Sequence, residues 1–146
     1  MATTRGTDDE QQIRNVIDEY WKEWVLVANP PDLQRSSYFD LLSGNARDAE
    51  IEELQKKIAL NESRRLPEGS VFTHTIMNLE ITGISAVVLE CLVDDAVVFD
   101  TTDGTIRNKA VGTSKFETHL IKGSDRWTIS ESFTVGSWDG VRPCDA

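Results

Sequence analysis

The hydrophobic period of this chain changes once, near Gly69, and that change limits the folds open to it. Before it, apolar residues recur at three- and four-residue steps, the spacing of one helix face. After it they alternate, the spacing of a half-buried strand. Helices followed by strands, without βα alternation, predict an α+β domain: three helices packed on one face of a strongly curved, mainly antiparallel sheet. At 146 residues the chain suits one domain with a sizeable core. Residues 1–7 read as a disordered lead and residues 8–146 as that single domain.

Asp8 or Asp9 is placed to cap a first helix carrying Ile13, Val16, Ile17, Tyr20, Trp24 and Val27 in one stripe. The prolines of "NPPD" end it. Asp32 caps a short second helix through Leu42, with Gly44 as a left-handed exit. A third helix is predicted from about Asp48 to Leu66, with Ile51, Leu54 and Ile58 as a narrow apolar edge. Its solvated side carries the pairs Glu52–Lys56 and Glu53–Lys57. Five strands follow, at about 70–81, 85–94, 96–101, 109–122 and 126–135, with "DTTDGT" as a hairpin turn. In the fourth, Phe116, Thr118 and Leu120 oppose Lys115, Glu117 and His119. In the last, Trp127, Ile129, Phe133 and Val135 share a face interrupted by Glu131, and Trp138 lies beyond the strand.

Net charge is −10, with nine basic against fourteen acidic residues before Ser70 and six against eleven from there on. Such an even acidic balance argues against nucleic acid or an anionic membrane surface as partner. No apolar run approaches the ~18 residues of a membrane span, so direct insertion is not expected. "MATTRGTDDEQQ" lacks the apolar core of a signal peptide.

The order of elements, with "YWKEWVLVANPPD", "EIEELQKKIALNESRR" and "VVLECLVDDAVVFDTTDG", resembles the nuclear transport factor 2-like (NTF2-like, SnoaL-like, cystatin-like) cone. Within it the chain is similar to a group of actinobacterial proteins of unknown function, many of them lipoproteins or secreted. The resemblance spans roughly residues 8–144 and implies a strand ending in Cys-Asp-Asp and a second cysteine near the chain end. Glu90 precedes Cys91 where that group often has Asp, and there is no lipobox.

Cys91 and Cys144 are the two cysteines. Two thiols alone make no four-ligand zinc site. Carboxylates around Cys91 suppress thiolate, which disfavours a nucleophile. Two readings stay open: a core cysteine on a strand, or a Cys91–Cys144 disulfide pinning the chain end to the sheet. A bridge would suit an oxidising, extracytoplasmic or envelope setting with an upstream signal removed; free thiols would suit the cytoplasm. Asp94, Asp95, Asp100 and Asp103 lack the D-x-D-x-D-G spacing of a calcium loop and read as strand-end and turn residues. No metal or cofactor is expected. Glu117 and His119, two apart on a strand, share a face and form either a base with its orienter or a solvated stripe. His74 reads as half-buried and hydrogen-bonded.

The inferred inward set is Tyr20, Trp24, Met77, Leu79, Val87, Leu89, Phe116, Trp127, Ile129 and Phe133, of which Tyr20, Trp24, Met77, Leu89, Phe116, Trp127 and Phe133 would line any pocket. This set is nearly all apolar, so the interior is expected to be filled by its helical lid. Tyr20 and Glu131 would be the minimum acid/base set if the chain is an enzyme, with Glu117 and His119 as the alternative. The first expectation is a non-catalytic binding or protein-interaction module, as an envelope accessory domain dimerising through the outer sheet face; a domain of a membrane-bound secretion or conjugation complex is a separate, third reading. The alternative is an enzyme or carrier for a small apolar ligand, of isomerase, cyclase or hydrolase type.

Overall fold

The computed structural model describes residues 2–144, with side chains from Asp8 onward. Of the expected lead over residues 1–7, Met1 and all seven side chains lie outside this range.

The first helix, α1, spans Ala2–Leu26. Asp8 and Asp9 therefore sit within it and cap nothing. Asp9 instead accepts hydrogen bonds from Lys122 Nζ at 2.8 Å and Trp127 Nε1 at 3.1 Å, tying the helix to the sheet. Ile13 and Ile17 are fully buried, as the stripe required, and Trp21 joins them at 7% exposure. A single turn, α2 (Ser36–Phe39), replaces the longer second helix, and Asp32 closes a turn by accepting from Gln34 N. Buried Glu23 on α1 takes Arg35 and Ser37 as donors, and the Arg35 bond holds its carboxyl below the usual range.

α3 spans Gly44–Ala59, four residues earlier at its start than expected and shorter at its end. Asn61, at φ 55°, breaks it, and Glu62–Arg65 becomes strand β1, paired antiparallel with β4 (Val97–Asp100). Helix propensity in "NESRR" lost to a distant partner strand, which local pattern cannot register. The buried side chains of α3 are Ala46, Leu54 and Lys57, whereas Ile58 is half-exposed. Of the expected edge, Leu54 is buried and Ile51 packs against the core, and Ile58 alone turns to solvent.

Two antiparallel sheets follow. The small one has the order β1-β4-β5, with β5 (Ile106–Asn108) emerging from the "DTTDGT" hairpin. Asp100 and Asp103 accept backbone N–H bonds inside that turn, as turn aspartates do. The large sheet has the order β2-β3-β6-β7, from Thr73–Thr82, Ser85–Asp94, Gly112–Lys122 and Trp127–Asp139. On β6, Thr118 and Leu120 point to the core, as expected.

Phase differs from expectation on the other three strands. β3 buries Ala86, Val88, Glu90 and Leu92, which puts Val87 and Leu89 on the outer face. A slip of one residue exchanges every side chain between faces, and "SAVVLECLVD" is apolar enough on both to mislead. In β2 a bulge at Met77 expels that side chain, 42% exposed, while Leu79 still packs on the core. In β7, bulges at Ser130 and Val135 break the expected single face. Trp127 and Ile129 are buried, whereas Phe133 and Val135 are about half exposed at 48% and 52%. β7 also runs through Trp138, whose ring covers Gly136 so closely that a Cβ there would meet Cη2 at 2.8 Å.

Cys91 follows inward Glu90 and so faces outward, where it is bridged to Cys144. The Cα atoms are 5.7 Å apart, within the range a disulfide spans. Thr113 supports the same tail, donating to Gly140 O at 2.7 Å and accepting from Arg142 N at 3.0 Å. Such a bridge fits an oxidising, extracytoplasmic setting. No described helix is long and apolar enough to cross a membrane. The bridge closes a separation of 53 residues, so loop entropy assigns it about 4 kcal/mol. The double variant Cys91→Ser/Cys144→Ser should lose about that much in urea unfolding; an unchanged midpoint would show that the tail contributes nothing.

Candidate functional site

The interior is not filled. Between α1, α3 and the inner face of the large sheet lies a cavity of about 400 Å³. Its floor is Trp21, Leu92, Thr118 and Glu90, all buried. Asn45 and Ala49 on α3 and Ser132, Phe133 and Thr134 on β7 are lining residues that are also exposed, and they mark the mouth. Asn45 Nδ2 donates to Glu131 Oε1 at 2.8 Å, bridging the two sides of that opening. Ser43 N donates to Ile129 O at 2.8 Å and Ile129 N to Leu41 O at 2.9 Å, fixing the start of α3 on β7.

Glu90 is the central polar group. It is 2% exposed and accepts from Trp21 Nε1 at 2.8 Å and from Thr118 Oγ1 at 2.7 Å. Burial pushes its carboxyl above the ordinary range, against the opposing pull of those two donors. A second acid, Glu50 of α3, accepts from Tyr20 Oη at 3.2 Å and Tyr38 Oη at 2.7 Å. The two rings stack with centroids 5.6 Å apart. Burial raises both phenols, with Glu50 adding to the effect, so they stay protonated and donate. Asp94, a third lining acid, is raised by burial despite a bond from Ala96 N.

Buried cations stand behind this wall. Arg64 lies 3.3 Å from the centroid of the Trp24 ring and donates to the Trp24 carbonyl through Nη2. Its Nε is buried without a hydrogen-bond partner. Lys57 is also buried, and desolvation lowers it.

The expected site residues divide. Tyr20, Trp24 and Phe116 border the cavity and Phe133 touches its mouth with its ring on the outer face, but Trp127 belongs to the solid core at 1% exposure, and Met77 and Leu89 point away. Tyr20 pairs with Glu50 and Glu131 with Asn45, so the Tyr20–Glu131 pair does not form. Glu117 and His119 do meet, at 2.8 Å, on the outer face opposite the cavity, with His119 edge-on to Phe133 at 5.7 Å. His74 is half-buried and bonded to Asp18 at 2.7 Å. Asp95 is buried under donors Ser70 and Val71 N, a structural clamp at the entry to β2. Among the described residues, no group of three or more His, Cys, Asp or Glu side chains is arranged to hold a metal.

Trp21, Glu50, Glu90 and Asp94 are the residues that pattern reading missed. A usable signal existed: Glu90 sits two residues from Val88 and from Leu92, and Glu50 sits four from Ala46 and from Leu54. A charge at the centre of an apolar stripe faces inward with it.

No family model matches the chain, and no curated protein matches it. Among solved structures it is similar to the crystal structure of the intermembrane space region of chloroplast protein ARC6, with a TM-score of 0.67 and 14% identity over 85% of this chain and 94% of that one. That likeness shows a shared fold.

Because the folded protein holds Glu90 above its ordinary value, the folded state binds the extra proton. The associated stability is complete below about pH 4 and is lost as pH rises through the raised value. Glu90→Gln removes this liability, and the Thr118 hydroxyl can turn to accept from the new amide. The variant should gain Tm relative to the parent as pH rises above about 4; a parallel pair of Tm–pH curves would contradict this. Trp21→Phe deletes a donor to a buried carboxyl and should cost about 1–3 kcal/mol in chemical unfolding.

Proposed function

We propose that the protein is a non-enzymatic binding module that takes a small, largely apolar molecule into this cavity. The observation that carries the reading is the cavity itself: about 400 Å³, with aromatic and aliphatic walls and a few converging polar groups. Small-molecule sites have this size and make-up. Binding is favoured over catalysis by how the polar groups are used. Both oxygens of Glu90 accept bonds, both phenols donate to Glu50, and the imidazole–carboxylate pairs Glu117–His119 and Asp18–His74 both lie outside the cavity. The order of three helices before antiparallel strands supports membership of the nuclear transport factor 2-like superfamily. The Cys91–Cys144 bridge supports an envelope-associated or secreted location.

The outer face supports a second reading, self-association. Phe133 and Ile121 are 48% and 42% exposed there, beside the Glu117–His119 pair. Sedimentation at rising concentration checks it, a monomer throughout being the contrary result.

Ala49 is exposed at the mouth and on a helix, so bulk there should close the entrance without disturbing the core. Calorimetric titration with a set of biphenyl compounds should show saturable binding, weakened at least ~10-fold, or about 1.4 kcal/mol, by Ala49→Phe. No binding by any member, or an affinity indifferent to that change, would sink the proposal.

A further inference from the structure

We infer that the cavity takes an organic cation, an apolar body carrying a protonated amine; the inference rests on the cavity being the ligand site. Every formal charge in its described lining is negative: Glu50, Glu90, Asp94 and Glu131 contribute, and no Lys, Arg or His does. An ammonium entering a partly desolvated space needs countercharge and acceptors at once. The wall supplies both. Each oxygen of Glu90 and of Glu50 accepts one hydrogen bond, and a carboxylate has about four lone-pair directions, so acceptor capacity remains on each.

The remaining lining fits the rest of such a molecule. Tyr20, Trp21 and Phe116 offer aromatic surface, which attracts a cation as well as an apolar ring. The volume of about 400 Å³ suits a body of one or two rings. Arg64 and Lys57 sit behind the wall and offset part of the charge of Glu50 and Asp94, yet neither reaches the lining and the Arg64 guanidinium is turned onto Trp24, so they offer an anion no seat. A carboxylate ligand would meet like charge on several sides. A bare metal ion is disfavoured by the wide apolar surface, and no described cluster is arranged for one. The chain's net −10 adds a field that concentrates cations near it.

Three probes sharing one body separate the outcomes: 4-phenylbenzylamine, 4-phenylbenzyl alcohol and 4-phenylbenzoate, titrated calorimetrically into the intact disulfide-bonded chain near pH 7. The amine should bind at least ~10-fold tighter than the alcohol, and the carboxylate weakest. That preference should shrink in Glu90→Gln, and in Glu50→Gln, a change nearer the surface that leaves the floor intact. Equal affinity of amine and alcohol, a preference unchanged in both variants, or tightest binding of the carboxylate overturns the inference while leaving the cavity a ligand site. Failure of all three probes overturns both.

Discussion

A carboxyl group sealed from water must find donors, and Glu90 finds its two on different elements: the Trp21 indole of α1 and the Thr118 hydroxyl of β6. This three-residue chain fixes the phase of β3 against α1 and β6. With Glu90 inward, Val88 and Leu92 are inward too and join the core, and Cys91 is outward, where the chain end can reach it. Shift β3 by one residue and the carboxyl would lose both partners while two large aliphatic side chains moved into water. The floor of the cavity and the outer disulfide are therefore opposite sides of one decision.

The same theme recurs on α3. Its inward line contains Ala46, Glu50, Leu54 and Lys57, so charged groups alternate with apolar ones. Each is compensated: Glu50 by two phenols, and Lys57 by the nearby acids Glu62, Glu53 and Asp94. Arg64, from the short strand after this helix, is cushioned on Trp24 instead. The interior is thus a mixture in which apolar surface drives collapse and a few satisfied polar groups fix its geometry.

Much of this architecture is legible in the amino-acid order. The aromatic stripe of α1, the change of period near Gly69, the "DTTDGT" hairpin and the facing of Phe116, Thr118 and Leu120 all follow from spacing. What hydrophobic pattern cannot show is a charged residue facing inward, because its tolerance depends on donors distant in sequence. Trp21 lies 69 positions from Glu90 and Tyr20 30 from Glu50. Those separations hid the acids, and with them the cavity. Bulges were invisible for a related reason: the extra residues at Met77, Ser130 and Val135 are defined by the partner strand's register, not by their own identity.

β7 shows what such a bulge achieves. Before Ser130 the strand contributes Trp127 and Ile129, which nothing in the molecule can spare. After it, Ser132, Phe133 and Thr134 are open to solvent at the lip of the cavity. One continuous strand is divided into a segment under strict packing constraint and a segment under almost none. Inheritance can therefore act on the two separately: descendants of this chain are free to vary what the opening admits while the packed core beneath it stays as it was.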